Sequence, residues 1–263
     1  MNNFQQTWTA PCREPRHAVI GRLIHNTSYT GSCDIPAHAQ LGSFFTMRIG
    51  DYNIIAMIEN IKPMDIEKRS FEIITEILGD RQLDPENELV IKRAIHTTAD
   101  FDYADNLVFS EHAVTKGIEA LKSGCDIVTD TQMARSGINK TILGRLGGEV
   151  HCFMSDADVA DKAKKLGVTR AYVSMKKAAE LNKPLIFAIG NAPTALVALK
   201  ELMDEGKLKP ELIIGVPVGF VNVVESKELI IASDVPYIVA RGRKGGSNVA
   251  AAICNAMLYQ ITR

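Results

Sequence analysis

An arginine and a histidine one helical turn apart form the first chemically informative pair in this 263-residue chain. The segment Arg93-Ala94-Ile95-His96-Thr97-Thr98-Ala99-Asp100-Phe101-Asp102-Tyr103-Ala104 follows a stretch of helical periodicity, so Arg93 and His96 share one helix face. Histidine is the side chain best suited to give or take a proton near neutral pH. A guanidinium one turn away can hold a carboxylate while the imidazole acts. A lone histidine at a helix end also serves as a C-terminal cap, and both readings stand at this level. Asp100 and Asp102 read as a solvated loop in preference to partners that orient His96. His112 and His151 have no such company and read as structural.

Three glycine-containing segments carry the second signal. They are Ile189-Gly190-Asn191-Ala192-Pro193-Thr194, Gly215-Val216-Pro217-Val218-Gly219-Phe220-Val221-Asn222 and Arg241-Gly242-Arg243-Lys244-Gly245-Gly246-Ser247. Each lies between a short apolar run and a helical one. Glycine lets a ligand approach the backbone, and free amides at a helix start attract anions. The first two segments are equally well explained by tight turns alone. The third is sharper, because two arginines and a lysine stand beside a Gly-Gly-Ser helix start; basic residues in a solvated loop are the alternative reading. No GxxxxGK[ST] loop occurs and no GxGxxG follows an N-terminal strand, so nothing here supports a nucleotide site.

These residues need a scaffold, and the chain supplies one from about residue 61 onward. Helices are expected from Pro63 to Leu78, from Asp84-Pro85 through Ala94, and from a Ser110 cap to Ser123-Gly124. Further helices are expected from Ser155-Asp156 to Leu166, closed by Gly167, and from Thr169 to Leu181. Asp126 to Val128, Glu149 to Phe153, Pro184 to Ile189, Leu212 to Val216 and Tyr237 to Ala240 read as short strands. The last three alternate with helices near Thr194 to Glu205, Asn222 to Ile231 and Ser247 to Ile261. Unbroken apolar strands are what a parallel sheet covered on both faces requires. The expected fold is α/β, a three-layer α/β/α sandwich with a mostly parallel sheet. Binding sites in such folds gather beyond the carboxyl ends of the strands, where the three glycine segments fall.

Residues 1–60 read differently, as a small β-rich extension. Ala18 to His25 is one β-like run; Phe44 to Ile49 and Tyr52 to Ile58 are joined across Gly50-Asp51 as a hairpin. His17, His25, His38, Cys12 and Cys33 match no metal-binding spacing, and no metal site is expected.

Composition narrows the class. Hydrophobic residues at 46% and charged residues at 23% exclude a disordered chain. A formal net charge of −1 leaves no global basic field for nucleic acid. No apolar run approaches the roughly 20 residues of a membrane helix, and Met1 to Arg16 lacks the apolar centre of a secretory signal. Five scattered cysteines suit neither a disulfide framework nor structural zinc; Cys125, Cys152 and Cys254 read as small core residues. A cytoplasmic protein is expected.

Arg69-Ser70-Phe71, the IHTTADFDYA segment, Thr129-Asp130 with Met133, GNAPTAL, GVPVGFVNVVESKE and GRKGGSNVAAA occur in this order from residue 61 to the C-terminus. Together they resemble the precorrin-8X methylmutases of cobalamin biosynthesis. The resemblance implies an isomerase without cofactor, a parallel α/β/α domain and a homodimer. Its reaction is a methyl shift from C-11 to C-12 of a late tetrapyrrole precursor, giving hydrogenobyrinic acid or, with cobalt already present, cobyrinic acid.

His96 matches the family's catalytic histidine, which protonates the macrocycle, and Ser70 and Arg93 match its substrate-contacting serine and arginine. Thr97 and Thr98, then Asn191, Gly219, Arg241, Gly245, Gly246 and Ser247 from the glycine segments, complete the expected substrate contacts. Phe220 and Val221 are candidates for an apolar wall. The wording from Thr97 to Tyr103 is similar to the cobalt-precorrin-8 branch, in which cobalt arrives within the substrate. A non-catalytic tetrapyrrole carrier would keep the cradle and cleft but would not need His96.

Overall fold

In the computed structural model, residues 43–49, 52–59 and 61–262 are described. The chain divides after Glu67 into two compact units. In the first, β1 (Ser43–Ile49) pairs antiparallel with β2 (Tyr52–Ile58), in a register that sets Ile49 opposite Tyr52. This is the hairpin expected from the two runs. The Ala18 to His25 run, the Gly50-Asp51 connection and the residues His17, His25, His38, Cys12 and Cys33 lie outside the described residues.

The second unit takes in α1 (Ile66–Leu78) from Lys68 onward, then α2 (Glu88–Thr98), α3 (Tyr103–Asn106), β3 (Leu107–Phe109), α4 (Ala113–Lys122), β4 (Asp126–Thr129), α5 (Gln132–Gly137) and α6 (Lys140–Arg145). It continues with β5 (Val150–His151), α7 (Ala157–Leu166), α8 (Arg170–Ala178), β6 (Leu185–Ile189) and α9 (Pro193–Asp204). It closes with β7 (Leu212–Gly215), α10 (Val223–Ile231), β8 (Tyr237–Ala240) and α11 (Ser247–Thr262). The sheet has six strands in the order β3-β8-β7-β6-β4-β5. All neighbours are parallel except β3, which is antiparallel to β8.

Every residue of β4, β6 and β7 is buried. On β6 the side chains alternate between two cores. Ile186 and Ala188 join the cluster formed with α2, α4 and α11, whereas Leu185, Phe187 and Ile189 join the one formed with α8, α9 and α10. A strand with period two and helices on both faces must be apolar throughout, which is why these segments lack polar alternation. Truncating the fully buried Phe187 to alanine is expected to cost about 3–5 kcal/mol.

Three local expectations are corrected. Helix α1 begins at Ile66, because Lys62 to Asp65 form a turn closed by the Asp65 amide on the Lys62 carbonyl, so Pro63 precedes the helix. Ser110 caps no helix: it follows the edge strand β3, and its Oγ accepts from the Tyr237 amide at 2.9 Å. The residue before α4 is His112, in the left-handed region. Expected strand Glu149 to Phe153 shortens to Val150–His151 at the sheet edge, where only β4 offers a partner.

Candidate active site

Chain order reverses between β4 and β6: β5 lies on the outer side of β4, and β7 and β8 follow β6 the other way. The crevice outside such a reversal is where open α/β sheets bind ligands. Here the two strand ends are tied together by Asp130. Its carboxylate is 1% exposed and accepts from the amides of Gly190, Asn191 and Ala192 at 2.9, 2.8 and 2.6 Å. Burial pushes the Asp130 carboxyl up, and the three amides oppose that push. The amides expected to greet an external anion are therefore already occupied by the protein's own carboxylate. The Asn191 side chain remains exposed beside them.

The glycines of these turns are demanded by close backbone approach. A Cβ at Gly190 would lie 2.6 Å from Ser247 Cα, and one at Gly245 would lie 2.1 Å from the Val216 carbonyl oxygen. Gly190 and Gly245 thus let the three turns pack on one another. Gly219 donates its amide to the Arg243 carbonyl at 3.2 Å, and the buried Gly246 donates to the Val216 carbonyl at 2.9 Å. The Ser247 hydroxyl lies 2.8 Å from that of Thr131, which also caps α5. Ser247 is 9% exposed, so its hydroxyl serves packing between the β4 turn and α11.

The cations of the third segment differ in availability. Arg241 donates to both carboxylate oxygens of Glu228 on α10, at 3.0 and 3.3 Å. Lys244 reaches Asp100 and Asp102, each at 2.6 Å, which raises its own pKa and holds the Asp100 carboxyl below its ordinary range. Asp102 lies in a solvated loop, as expected, and neither it nor Asp100 braces His96; both pair with Lys244. They fasten the end of α2 to the β8 turn. Arg243 is exposed, and among the described residues its guanidinium has no ion-pair partner.

The helix pair α1 and α2 assembles the other half. Phe71 on α1 lies between two functional candidates of α2: the Arg93 guanidinium is 4.8 Å from its ring centroid, and the His96 ring centroid is 5.6 Å away. Tyr259 of α11 lies on Arg93 as well, at 5.2 Å, so the guanidinium is held against two aromatic rings. Arg93 is half-buried and His96 exposed, as is Thr97. Ser70 adjoins Phe71 on α1 and is half-buried. Thr98 turns inward: its hydroxyl donates to the Ala94 carbonyl at 2.8 Å and accepts from the Asp100 amide at 3.2 Å. Ala99 closes the helix in the left-handed region at φ 54°, a conformation that is costly for a residue with a Cβ.

The two other described histidines are engaged in structure. His112 Nδ1 lies 3.1 Å from Glu86, and His151 Nε2 lies 2.9 Å from Asp126. Burial raises the Asp126 carboxyl, but hydrogen bonds from His151, the Glu149 amide and Lys183 outweigh it and hold the group low. Cys125 and Cys254 are fully buried, with thiols pushed up to about 12, which removes them as nucleophiles. Cys152 is only half-buried.

Sequence reading passed over three groups. Asp130 and Lys227 were visible only within motifs, and Arg243 only as one of three loop cations. Lys227 has no solvent exposure, and its Nζ donates to the carbonyls of Gly242 and Lys244 at 2.8 Å each. A lysine on an apolar helix face between two loops is the signal that could have found it.

Comparison with known proteins places this geometry. The sequence profile of the precorrin-8X methylmutase family matches residues 65–260. A cobalt-precorrin-8 methylmutase of Salmonella typhimurium is 47% identical over 206 residues, covering 76% of this chain and 96% of that protein. One from Priestia megaterium is 46% identical over 197 residues, covering 75% and 88%. A precorrin-8X methylmutase of Pseudomonas aeruginosa is 39% identical over 194 residues, covering 73% and 93%. Among solved structures, the precorrin-8x methyl mutase from Thermus thermophilus superposes with a TM-score of 0.69 at 36% identity, covering 75% of this chain and 98% of that one. The chain belongs to the precorrin-8X methylmutase family.

Proposed function

We propose that this chain is a cobalt-precorrin-8 methylmutase that moves a methyl group from C-11 to C-12 of the macrocycle, with His96 as the general acid. Substrate and product are isomers, so the protein's task is to hold the ring and manage one proton. The observation that carries the reading is the shared Phe71 ring: it packs on both the Arg93 guanidinium and the exposed His96 imidazole. A carboxylate held by Arg93 and Ser70 would bring the macrocycle to the face that presents His96. Arg243, Thr97 and the Asn191 side chain are the further polar contacts in this reading, and exposed Phe220, Val221 and Met133 supply apolar surface for a flat ring.

The cobalt-containing substrate is favoured because the relatives at 46–47% identity carry that name, whereas those named precorrin-8X methylmutase stand at 39% and 35%. Cobalt then belongs to the substrate. The same proposal places the reaction in residues 61–263, in a cytoplasmic homodimer. Exposed Ile73 and Ile77 on α1, together with Leu89, support a second copy as a neighbour.

Incubation with cobalt-precorrin-8 alone, followed by visible absorption, tests the activity. Conversion without any additive is expected; binding with no spectral conversion would instead identify a carrier. His96→Ala should lose turnover by roughly 10²–10⁴-fold while still binding the coloured product. Near-wild-type turnover in that variant would remove His96 from the chemistry.

A further inference from the structure

The β8 turn is fastened at nearly every residue. The Arg241 amide donates to Asn106 at 2.7 Å, the Arg243 carbonyl accepts from Gly219, and the Gly246 amide donates to Val216. The carbonyls of Gly242 and Lys244 both accept from the buried Lys227 of α10. They bracket Arg243, the exposed cation of the segment. An ammonium suits this task because it is compact and carries three donors, so two carbonyls can share it. Among the described residues no carboxylate pairs with Lys227; its two acceptors are both loop carbonyls.

We infer that Lys227 is a positioning residue for the methyl shift. By holding the Gly242 and Lys244 carbonyls, it fixes the loop that presents Arg243 to a substrate carboxylate and carries Lys244 to Asp100 and Asp102. The inference rests on the methylmutase reading, because the substrate contact it prepares belongs to that reaction. Without the ammonium, the two loop carbonyls lose their donor and turn toward water, and the loop moves with them. The sheet below keeps its own hydrogen bonds, so the expected defect is local. Lys227 touches no substrate in this scheme; it acts through Arg243 and Lys244.

The test compares Lys227→Met with the wild type in three measurements: thermal unfolding, steady-state kinetics with cobalt-precorrin-8, and cleavage by trypsin. Arg241, Arg243 and Lys244 are all exposed trypsin sites, so cutting there reports release of the loop. A folded Lys227→Met protein is expected to show KM raised about tenfold, a smaller fall in kcat, and faster cleavage at residues 241–244. A role in stability alone would lower the unfolding temperature and leave KM unchanged. A folded variant with wild-type KM and an uncut loop overturns the inference. If Lys227→Met does not fold, Lys227→Arg is judged by the same KM and cleavage criteria, since the larger planar guanidinium cannot sit between the same carbonyls. Absence of turnover in the wild type would sink the methylmutase reading itself, and trypsin cleavage would then decide the loop's anchoring alone.

Discussion

Lys244 and Asp100 are separated by 144 positions, yet the ammonium lies 2.6 Å from the carboxylate. The same Nζ reaches Asp102 at 2.6 Å. This joins the turn after β8 to the end of the helix that carries His96. Both partners are partly exposed, so the link contributes more to position than to stability. Lys244→Ala is expected to lower turnover about tenfold with little change in unfolding temperature. Raising the salt concentration should weaken wild-type activity in the same direction. Kinetics and thermal unfolding on one preparation check both statements.

Asp130 makes the opposite trade. Its removal would leave the amides of Gly190, Asn191 and Ala192 without their acceptor at the point where β4 and β6 diverge. Asp130→Ala is expected to cost about 3 kcal/mol or more, read as a lower midpoint in denaturant unfolding. A variant as stable as the wild type would mean that the turn is held by its glycine packing alone.

Ala99 sits in the left-handed region directly after the His96 helix. Glycine adopts that conformation without a Cβ penalty, so Ala99→Gly is expected to stabilise the protein by about 0.5–1 kcal/mol. Thermal unfolding measures this. Loss of turnover in the stabilised variant would show that the strained cap helps to aim His96.

Burial pushes the Lys227 ammonium down to about 8 from an ordinary 10.5. Between those values the folded protein holds fewer protons than the unfolded chain. Stability therefore rises with pH across that window, whereas below pH 8 the lysine is charged in both states and the cost of its burial is felt in full. Wild type should gain about 3 kcal/mol relative to Lys227→Met between pH 8 and pH 10.5. Denaturant unfolding of both proteins across that range measures the slope; a flat difference would place the lysine's pKa near its ordinary value.

The family profile begins at residue 65, and the Salmonella relative is 96% covered by 76% of this chain. A protein beginning near Ile61 is therefore expected to fold and retain turnover, as measured with cobalt-precorrin-8. A folded truncation without turnover would assign the preceding residues a part in the reaction.

Much of this was legible in residue order. Alternating apolar strands and amphipathic helices dictated a layered α/β domain, because a strand covered on both faces has no use for polar residues. Gly167 at the end of α7 marked that boundary by backbone preference alone. Arg93 and His96 share a helix face by spacing, and the order of motifs pointed to the family before any coordinate was needed.

What the order could not tell is which polar groups are already spent. Gly190 to Ala192 read equally as an anion site or a tight turn, and Asp130 from a different strand end occupies their amides. Arg241 and Lys244 read as free cations, but Glu228, Asp100 and Asp102 neutralise them. Ser110 read as a cap because the antiparallel strand β3 is too short to show a pattern. In each case the partner is remote in sequence and close only after the sheet has formed. Periodicity records how a residue meets its neighbours along the chain; whether its charge or amide remains available for a ligand is decided by the contacts that tertiary folding brings from elsewhere.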